Sequence, residues 1–118
     1  MFVTNLRSKN MQFYTIKYDP SKITTGSAEY QKLYIETSIA NVVYFFYKDD
    51  ECLYIGETGT SLSDRIFKHT PKHLIQPWFK EGNKIFQIEL GSGIDGIARG
   101  TIEATFILAY RPKYNKKA

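Results

Sequence analysis

The clearest hydrophobic pattern along the chain lies in its middle. Residues 42–48 are β-branched or aromatic up to a final lysine, residues 49–51 are acidic, and residues 52–55 are again apolar. Two such runs separated by a short polar segment predict a β-hairpin. Tyr44 and Tyr54 therefore lie on neighbouring strands of the predicted hairpin.

A helix is predicted directly after the hairpin. Gly56 lets the backbone turn, and Ser61 or Ser63 is placed to cap the helix at its N-terminus. The apolar positions of this helix are Leu62, Ile66 and Phe67. Arg65 and His69 are four residues apart, so a helix would carry them on one face.

Two elements are predicted before the hairpin and three after the helix. Residues 11–18 alternate as a strand does, and residues 28–38 have helical spacing with Thr25 or Ser27 as the cap. The later elements are a short helical segment over residues 71–79 interrupted by Pro77, a strand over residues 84–90, and an apolar helix over residues 101–110 that is buried on most sides.

This order of elements predicts an α+β fold. Its core is a three-stranded antiparallel sheet flanked by helices, with the hairpin and the later strand as the three strands. We expect residues 1–40 to form an N-terminal extension that packs on a domain made of residues 41–118.

Composition limits the classes of protein that the chain can be. Its 118 residues, 42% of them hydrophobic, suffice for one folded domain and exclude a disordered chain. The net charge of +4 suits a polyanionic partner without requiring one. Cys52 is the one cysteine, which excludes an internal disulfide. Because no apolar run reaches the ~20 residues of a membrane span and residues 1–7 lack a signal peptide's hydrophobic region, an intracellular, cytoplasmic location is expected.

Five polar positions occur in a recognisable order. Residues 42–44 read Val-Val-Tyr and residues 54–56 read Tyr-Ile-Gly; Arg65 follows the second tripeptide, Glu103 lies in the apolar helix, and Asn115 comes soon after a proline. This order and spacing resemble those of the GIY-YIG nuclease family over roughly residues 41–116. The glycine and isoleucine of the first tripeptide are both valine here, a mild change on a strand.

The resemblance implies a metal-dependent endonuclease that hydrolyses phosphodiester bonds, with DNA as the expected substrate, on a GIY-YIG-like fold. Glu103 would hold a single divalent ion, Mg²⁺ or Mn²⁺, on the leaving-group side. One ion is expected because Glu103 is the one acidic residue at a motif position.

The resemblance also implies roles for the other side chains. Tyr44 would act as general base toward the attacking water, while Tyr54 and Arg65 would position and neutralise the scissile phosphate. His69 would assist Tyr44 or contact the phosphate, and Asn115 would orient the cluster. All these groups must then surround one pocket.

A basic set of side chains would contact the nucleic-acid backbone. Its predicted members are Arg65, Lys68, Lys72, Arg111, Lys113 and Lys116. The chain has no room for a separate recognition domain, so specificity would come from its own loops or from a homodimer. A compact enzyme of the restriction, phage or mobile-element type is one expectation, and a structure-selective or single-strand nuclease is the other.

Each site residue also has a simpler interpretation. Glu103 could lie on an exposed helix face, Arg65 could be solvated, Tyr44 and Tyr54 could be packing residues of the sheet, and Asn115 could belong to a solvated terminus. The competing functions are a non-cleaving nucleic-acid-binding or interaction module on the same scaffold, and a structural α+β domain whose matches are coincidental.

Other sequence features conflict with the resemblance or imitate known sites. Glu57, directly after the second tripeptide, puts a negative charge near the expected phosphate site. Residues 91–96 spell a dinucleotide-binding fingerprint, but no second strand follows to complete the βαβ unit that it needs. His69 and His73 have the spacing of a zinc pair, but Pro71 between them breaks the shared helix face, so no zinc site is predicted.

Overall fold

Residues 11–115 are described in the computed structural model, and they form an antiparallel sheet with helices against it. The strands are β1 (Gln12–Lys17), β2 (Val42–Lys48), β3 (Glu51–Thr58) and β4 (Lys84–Glu89). The α-helices are α1 (Ala28–Glu36), α2 (Pro77–Glu81) and α3 (Gly96–Tyr110). A π-helical turn covers Asp64–Lys68, and 3-10 turns cover Pro20–Lys22 and His73–Ile75. The predicted α+β class is confirmed.

The sheet has the strand order β1-β4-β2-β3, and all three strand pairs are antiparallel. The predicted three strands are present, and β1 adds a fourth by pairing with β4. The central strand β2 is buried from Val42 to Phe46 because it has a neighbour on each side and packing on both faces. Tyr44 lies opposite Gly56 of β3 and opposite Gln87 of β4.

Side chains alternate between two hydrophobic clusters, one on each face of the sheet. The first face carries Tyr44 and Phe46 of β2 and packs against the π turn and α2. The second face carries Val43, Phe45 and Ile55 and packs against α3. The two tyrosines of the motif and helix α3 therefore belong to opposite faces of the sheet.

The elements before the hairpin contribute to the first cluster. Ile16 of β1 and Leu33 of α1 are buried in it, and Tyr30 of α1 packs on Phe67 of the π turn with ring centroids 4.4 Å apart. Ser27 caps α1 by accepting a hydrogen bond from the Tyr30 amide. Packing of this segment thus follows from its own apolar residues, while the domain boundary after residue 40 stays a prediction.

The segment predicted as an α-helix after Gly56 is wound mainly as a π-helical turn. Ser61 accepts a hydrogen bond from the Asp64 amide, as a cap does. The chain then widens into the π turn, in which the His69 amide donates to the Asp64 carbonyl, 2.6 Å away. His69 lies just beyond the turn, so the prediction that it shares an α-helical face with Arg65 was wrong in geometry. Short π segments are frequent at functional sites.

The later helices also differ from expectation. Pro77 is the first residue of α2, where its missing N–H leaves no helical hydrogen bond unmade, so it starts a helix rather than interrupting one. Helix α3 begins after its cap Asp95, earlier than predicted. The expectation that it is buried on most sides was wrong: Ile97 and Leu108 are 83% and 75% exposed. Only the face with Ile102 packs on the sheet.

The last described residues run along the free edge of β3. The Lys113 amide donates to the Cys52 carbonyl, and the Tyr114 amide donates to the Leu53 carbonyl at 2.8 Å. These bonds occupy backbone groups that an edge strand would otherwise leave to solvent. Over residues 11–115, no helix combines the length and apolar character required to cross a membrane.

Candidate active site

Tyr44 is the most buried polar side chain of the predicted site, with 2% of its surface exposed. Its ring lies over Gly56 of the paired strand, where a Cβ atom would be 2.5 Å from the Tyr44 hydroxyl oxygen. Only glycine leaves room for the phenol at that position. Burial raises the pKa of Tyr44 well above its ordinary value. The charges of Tyr54 and Glu103 raise this pKa further, and the charge of Arg65 opposes them.

His73 is the hydrogen-bond partner of Tyr44. The Tyr44 hydroxyl and His73 Nε2 are 2.7 Å apart, and both side chains are buried. Burial lowers the pKa of His73 to about 4, with the charges of Arg65 and His69 adding to the effect. His73 is therefore a neutral imidazole at pH 7. Sequence reasoning considered His73 only as half of a zinc pair, because its approach to Tyr44 requires the chain to turn back after the π turn.

Tyr54 lies on β3 beside Tyr44, with ring centroids 6.4 Å apart. Its other face is stacked on Trp78 of α2 at 4.0 Å and an interplanar angle of 3°. Burial raises the pKa of Tyr54, the charge of Glu103 raises it further, and the charge of Arg65 opposes both. The stack holds the phenol ring in one orientation.

Arg65 and His69 line one pocket of about 510 Å³ between the π turn and the loop after β3. Thr58, Gly59 and Lys68 also line it. The positive charge of Arg65 lowers the pKa of Tyr44, Tyr54 and His73. The pocket therefore adjoins the two tyrosines of the hairpin. The structure thus places His69 at the pocket wall, and the Tyr44 hydroxyl bonds to His73 instead.

Glu103 is half-buried on α3, the helix that packs on the opposite face of the sheet. Its charge nevertheless raises the pKa of both Tyr44 and Tyr54, after the larger effect of burial. Burial, and then the charge of Glu57, raise the pKa of Glu103 itself.

Glu57 is paired with a cation that sequence reasoning missed. Arg99 donates through Nε to a Glu57 carboxylate oxygen at 2.5 Å and through Nη1 to the Asn41 side-chain oxygen at 2.7 Å. Arg99 and Glu103 are one helical turn apart on α3, a spacing that could have indicated a shared inner face. Arg99 therefore offsets part of the negative charge expected near the phosphate site, while Glu57 still raises the pKa of Glu103.

The residues present fit a divalent cation of the kind that the fold implies. Among residues 11–115, no lysine, arginine or histidine lies within ion-pair distance of Glu103, and no group of three or more His, Cys, Asp or Glu side chains gathers as a metal centre. A half-buried carboxylate with a raised pKa and no cationic partner gains from a bound cation. Mg²⁺ commonly takes one or two carboxylates and fills its other positions with water and phosphate oxygens.

Asn115 acts on the backbone of β3. Its side-chain oxygen accepts from the Ile55 amide at 2.8 Å, and its side-chain nitrogen donates to the Ile55 carbonyl at 2.9 Å. Ile55 lies between Tyr54 and Gly56, so the amide of Asn115 fixes the main chain at the second tripeptide. No hydrogen bond joins it to a side chain of the predicted cluster.

The predicted nucleic-acid contacts are only partly gathered. Lys68 shares the pocket of Arg65, with its ammonium 5.3 Å from the Tyr34 ring centre, and Lys72 is exposed on the following loop. Arg111 is exposed at the end of α3, and Lys113 is paired with Glu81 at 3.0 Å. Lys116 lies outside the described residues.

Solved structures of one endonuclease domain share this architecture. The N-terminal GIY-YIG endonuclease domain of UvrC from Thermotoga maritima, in a point mutant bound to its catalytic divalent cation, matches with a TM-score of 0.60 and 22% sequence identity, over 77% of this chain and 99% of that one. The same domain bound to magnesium matches with a TM-score of 0.57 and 22% identity, over 76% and 99% of the two chains.

Sequence comparison alone finds no relative. No protein-family model matches the chain, and no curated protein matches it significantly. At 22% identity the structural likeness establishes the fold. The resemblance predicted from the order and spacing of the five polar positions is confirmed at that level: this chain has the fold of the GIY-YIG endonuclease domain.

Proposed function

We propose that the protein is a metal-dependent endonuclease that hydrolyses phosphodiester bonds, with DNA as the substrate. The observation that carries this proposal is the fold that the protein shares with cation-bound endonuclease domains. On that fold, the buried phenol of Tyr44 lies beside Tyr54, with ring centroids 6.4 Å apart. The charges of Arg65 on the π turn and of Glu103 on α3 both act on the pKa of Tyr44, which supports a shared site.

Glu103 would be the protein ligand of the cation. Among residues 11–115 it has no ion-pair partner, and this and its raised pKa both favour the role. When bound, the ion supplies charge stabilisation at the leaving oxygen. The cation-bound UvrC domain structures support the same choice by fold analogy.

Arg65 would hold the scissile phosphate through its planar guanidinium, at the pocket wall next to the phenols. Tyr54 would donate to a phosphate oxygen from its fixed position on Trp78. His69, at the same wall, would contact the next phosphate rather than Tyr44. Lys68, beside Arg65, would add salt-dependent affinity, and Lys72, Arg111, Lys113 and Lys116 would extend it along the backbone.

Tyr44 would orient and deprotonate the attacking water. A phenol is a weak base in its neutral form, so it requires a partner that accepts its own proton. Asn115 would hold the strand that carries Tyr54, and so would keep the two phenols in register. A homodimer and an intracellular location stay predictions from the sequence.

Cleavage assays test the proposal directly. Supercoiled plasmid, single-stranded DNA and RNA of matched sequence would be incubated with the protein in Mg²⁺, in Mn²⁺ and in EDTA. We expect cleavage of DNA that requires the metal and that falls at least about 100-fold in Glu103→Ala and in Arg65→Ala. Glu29→Ala removes an exposed carboxylate of α1 and is the matched control.

The outcomes separate the candidate functions. Cleavage at the wild-type rate by Glu103→Ala would exclude the one-carboxylate mechanism. Metal-independent binding without cleavage would identify the non-cleaving module instead. Neither binding nor cleavage of any of the three substrates would overturn a nucleic-acid function altogether.

A further inference from the structure

We propose that His73 is a positioning residue for Tyr44 that also receives the Tyr44 hydroxyl proton as the phenol takes one from the attacking water. This inference rests on the proposed hydrolysis. It assigns a role to a histidine outside every position of the motif, eight residues beyond Arg65.

Geometry carries the proposal. The Tyr44 hydroxyl lies 2.7 Å from His73 Nε2, within the range of a strong O–H to N hydrogen bond. Both side chains are buried, so water does not compete for the bond. A tyrosine with this one basic neighbour donates to it, and His73 therefore carries its own proton on Nδ1.

The surroundings hold the His73 ring in place. Its edge packs on Trp78 with ring centroids 4.7 Å apart, and Trp78 is itself stacked on Tyr54. The 3-10 turn His73–Ile75 carries the ring on a short, tightly wound segment. Tyr44, Tyr54, Trp78 and His73 thus form one interlocked aromatic group, and the hydrogen bond is not an accident of a mobile side chain.

The charges around His73 explain why it is an acceptor. Burial, and then the charges of Arg65 and His69 on the π turn, lower the pKa of His73, while the phenols of Tyr44 and Tyr54 face it from the sheet. A phosphate bound at Arg65 offsets the cationic charge there, so it makes His73 more basic at the moment when a proton must be accepted. Substrate binding is therefore expected to raise the pKa of His73, against the larger effect of burial.

The proton movements balance. The water oxygen bonds to phosphorus as its proton moves to the Tyr44 oxygen, and the hydroxyl proton of Tyr44 moves to His73 Nε2. The P–O ester bond breaks, and the leaving oxygen takes a proton from solvent. His73 then returns its extra proton to solvent, and Tyr44 ends the cycle as it began it, as a neutral phenol. No tyrosinate has to exist before attack, which matters because burial raises the pKa of Tyr44.

One test detects the hydrogen bond between Tyr44 and His73 without measuring cleavage. Nitrogen NMR on protein with labelled histidine, in the Glu103→Gln background, reports which ring nitrogen of His73 carries the proton. We expect protonation on Nδ1 in this protein and a changed Nε2 signal when Tyr44→Phe is added. A short single-stranded oligonucleotide should raise the pKa of His73. A proton on Nε2 at neutral pH, or no response of His73 to Tyr44→Phe, would overturn the proposal.

A second test reads the proton transfer. Single-turnover cleavage should fall about 100-fold in His73→Gln, and His73→Gln with Tyr44→Phe should be no slower than Tyr44→Phe alone. In mixtures of H₂O and D₂O, the wild-type rate plotted against the deuterium fraction should be curved, as expected for two moving protons. The same plot for His73→Gln should be linear. Ile75→Ala, an exposed change on the same turn, should cut at the wild-type rate. If His73→Gln does not fold, His73→Asn is measured in its place.

The outcomes distinguish this proposal from the proposed function. A His73→Gln protein within about twofold of the wild-type rate, alongside an inactive Glu103→Gln protein, would overturn the relay and leave the hydrolysis standing. A fully additive double variant would also overturn it. A wild-type protein that does not cleave would overturn the proposed function, and the relay with it.

Discussion

Gly56 and Tyr44 face each other across the β2–β3 pair so closely that residue 56 has no space for a side chain. A Cβ atom there would lie 2.5 Å from both the hydroxyl oxygen and the adjoining ring carbon of Tyr44. The glycine of the second tripeptide is therefore required by the tyrosine of the first. The two tripeptides form one structural unit.

The first prediction follows from this contact. Gly56→Ala should lower the free energy of unfolding by about 1–3 kcal/mol, because the buried Tyr44 ring cannot move away without disturbing the core. Any displacement also breaks the geometry with His73, so single-turnover cleavage should fall about 100-fold. Urea denaturation and cleavage rates measure the two effects. Gly100→Ala is the control: no atom lies within 4 Å of its Cβ position, and alanine in helix α3 should be stabilising by about 0.5–1 kcal/mol.

The second prediction separates stability from function at Glu103. Its pKa is raised by burial and by Glu57, so the folded protein prefers the protonated form and ionised Glu103 is destabilising once the pH exceeds that pKa. At pH 7 without metal, Glu103→Gln should therefore melt at the same temperature as wild type or higher. Mg²⁺ at millimolar concentration should raise the melting temperature of the wild-type protein and leave that of Glu103→Gln unchanged. Thermal denaturation with and without the ion measures both, and an equal metal response in the two proteins would contradict the assignment of Glu103 as ligand.

The third prediction concerns the pH dependence of cleavage. Because the charge of Glu57 adds to the raised pKa of Glu103, Glu57→Gln should lower that pKa. Glu103 must be ionised to hold a cation, so the acid limb of the rate should move to lower pH. Rates measured in Mg²⁺ across the acid range report the midpoint. The exposed Glu29→Gln is the control, and a limb that stays in place or moves upward would exclude the coupling between the two carboxylates.

The fourth prediction concerns Asn115. Asn115→Ala leaves the amide and the carbonyl of Ile55 without their partners, so stability should fall by about 1–3 kcal/mol. Hydrogen exchange at the Ile55 amide should become faster, as a direct readout of the opened strand edge. The Asn83 side chain also makes two hydrogen bonds, both with Asp49 in the exposed hairpin turn, and Asn83→Ala should have a smaller effect. Equal losses in the two variants would contradict the positioning role.

Local features of this fold are predictable from the sequence because they depend on near neighbours. The hairpin, the cap at Ser27 and the strand over residues 84–90 each follow from a short pattern of apolar and turn residues. The tyrosine pair is predictable for the same reason. Its partners Arg65 and Glu103 could be named only through resemblance, since nothing local brings them near the hairpin.

What the sequence could not provide depends on long-range packing. The π turn replaces a helix that has ordinary apolar spacing at Leu62, Ile66 and Phe67, and the Phe67 ring packs on Tyr30 of α1, a contact that the local pattern does not contain. His73 reaches Tyr44 from a segment 29 positions away. The exposed outer face of α3 is as apolar as its buried face, so hydropathy alone could not tell them apart.

The strip of hydrogen bonds that residues 113–115 make with β3 has a consequence for how the molecule is built. Asn115 closes onto a strand 60 positions earlier in the chain. During synthesis the hairpin emerges first, but the outer edge of β3 stays unpaired until residues 113–115 have left the ribosome. A chain truncated before residue 113 would therefore carry both tyrosines on a hairpin whose outer edge lacks these hydrogen bonds.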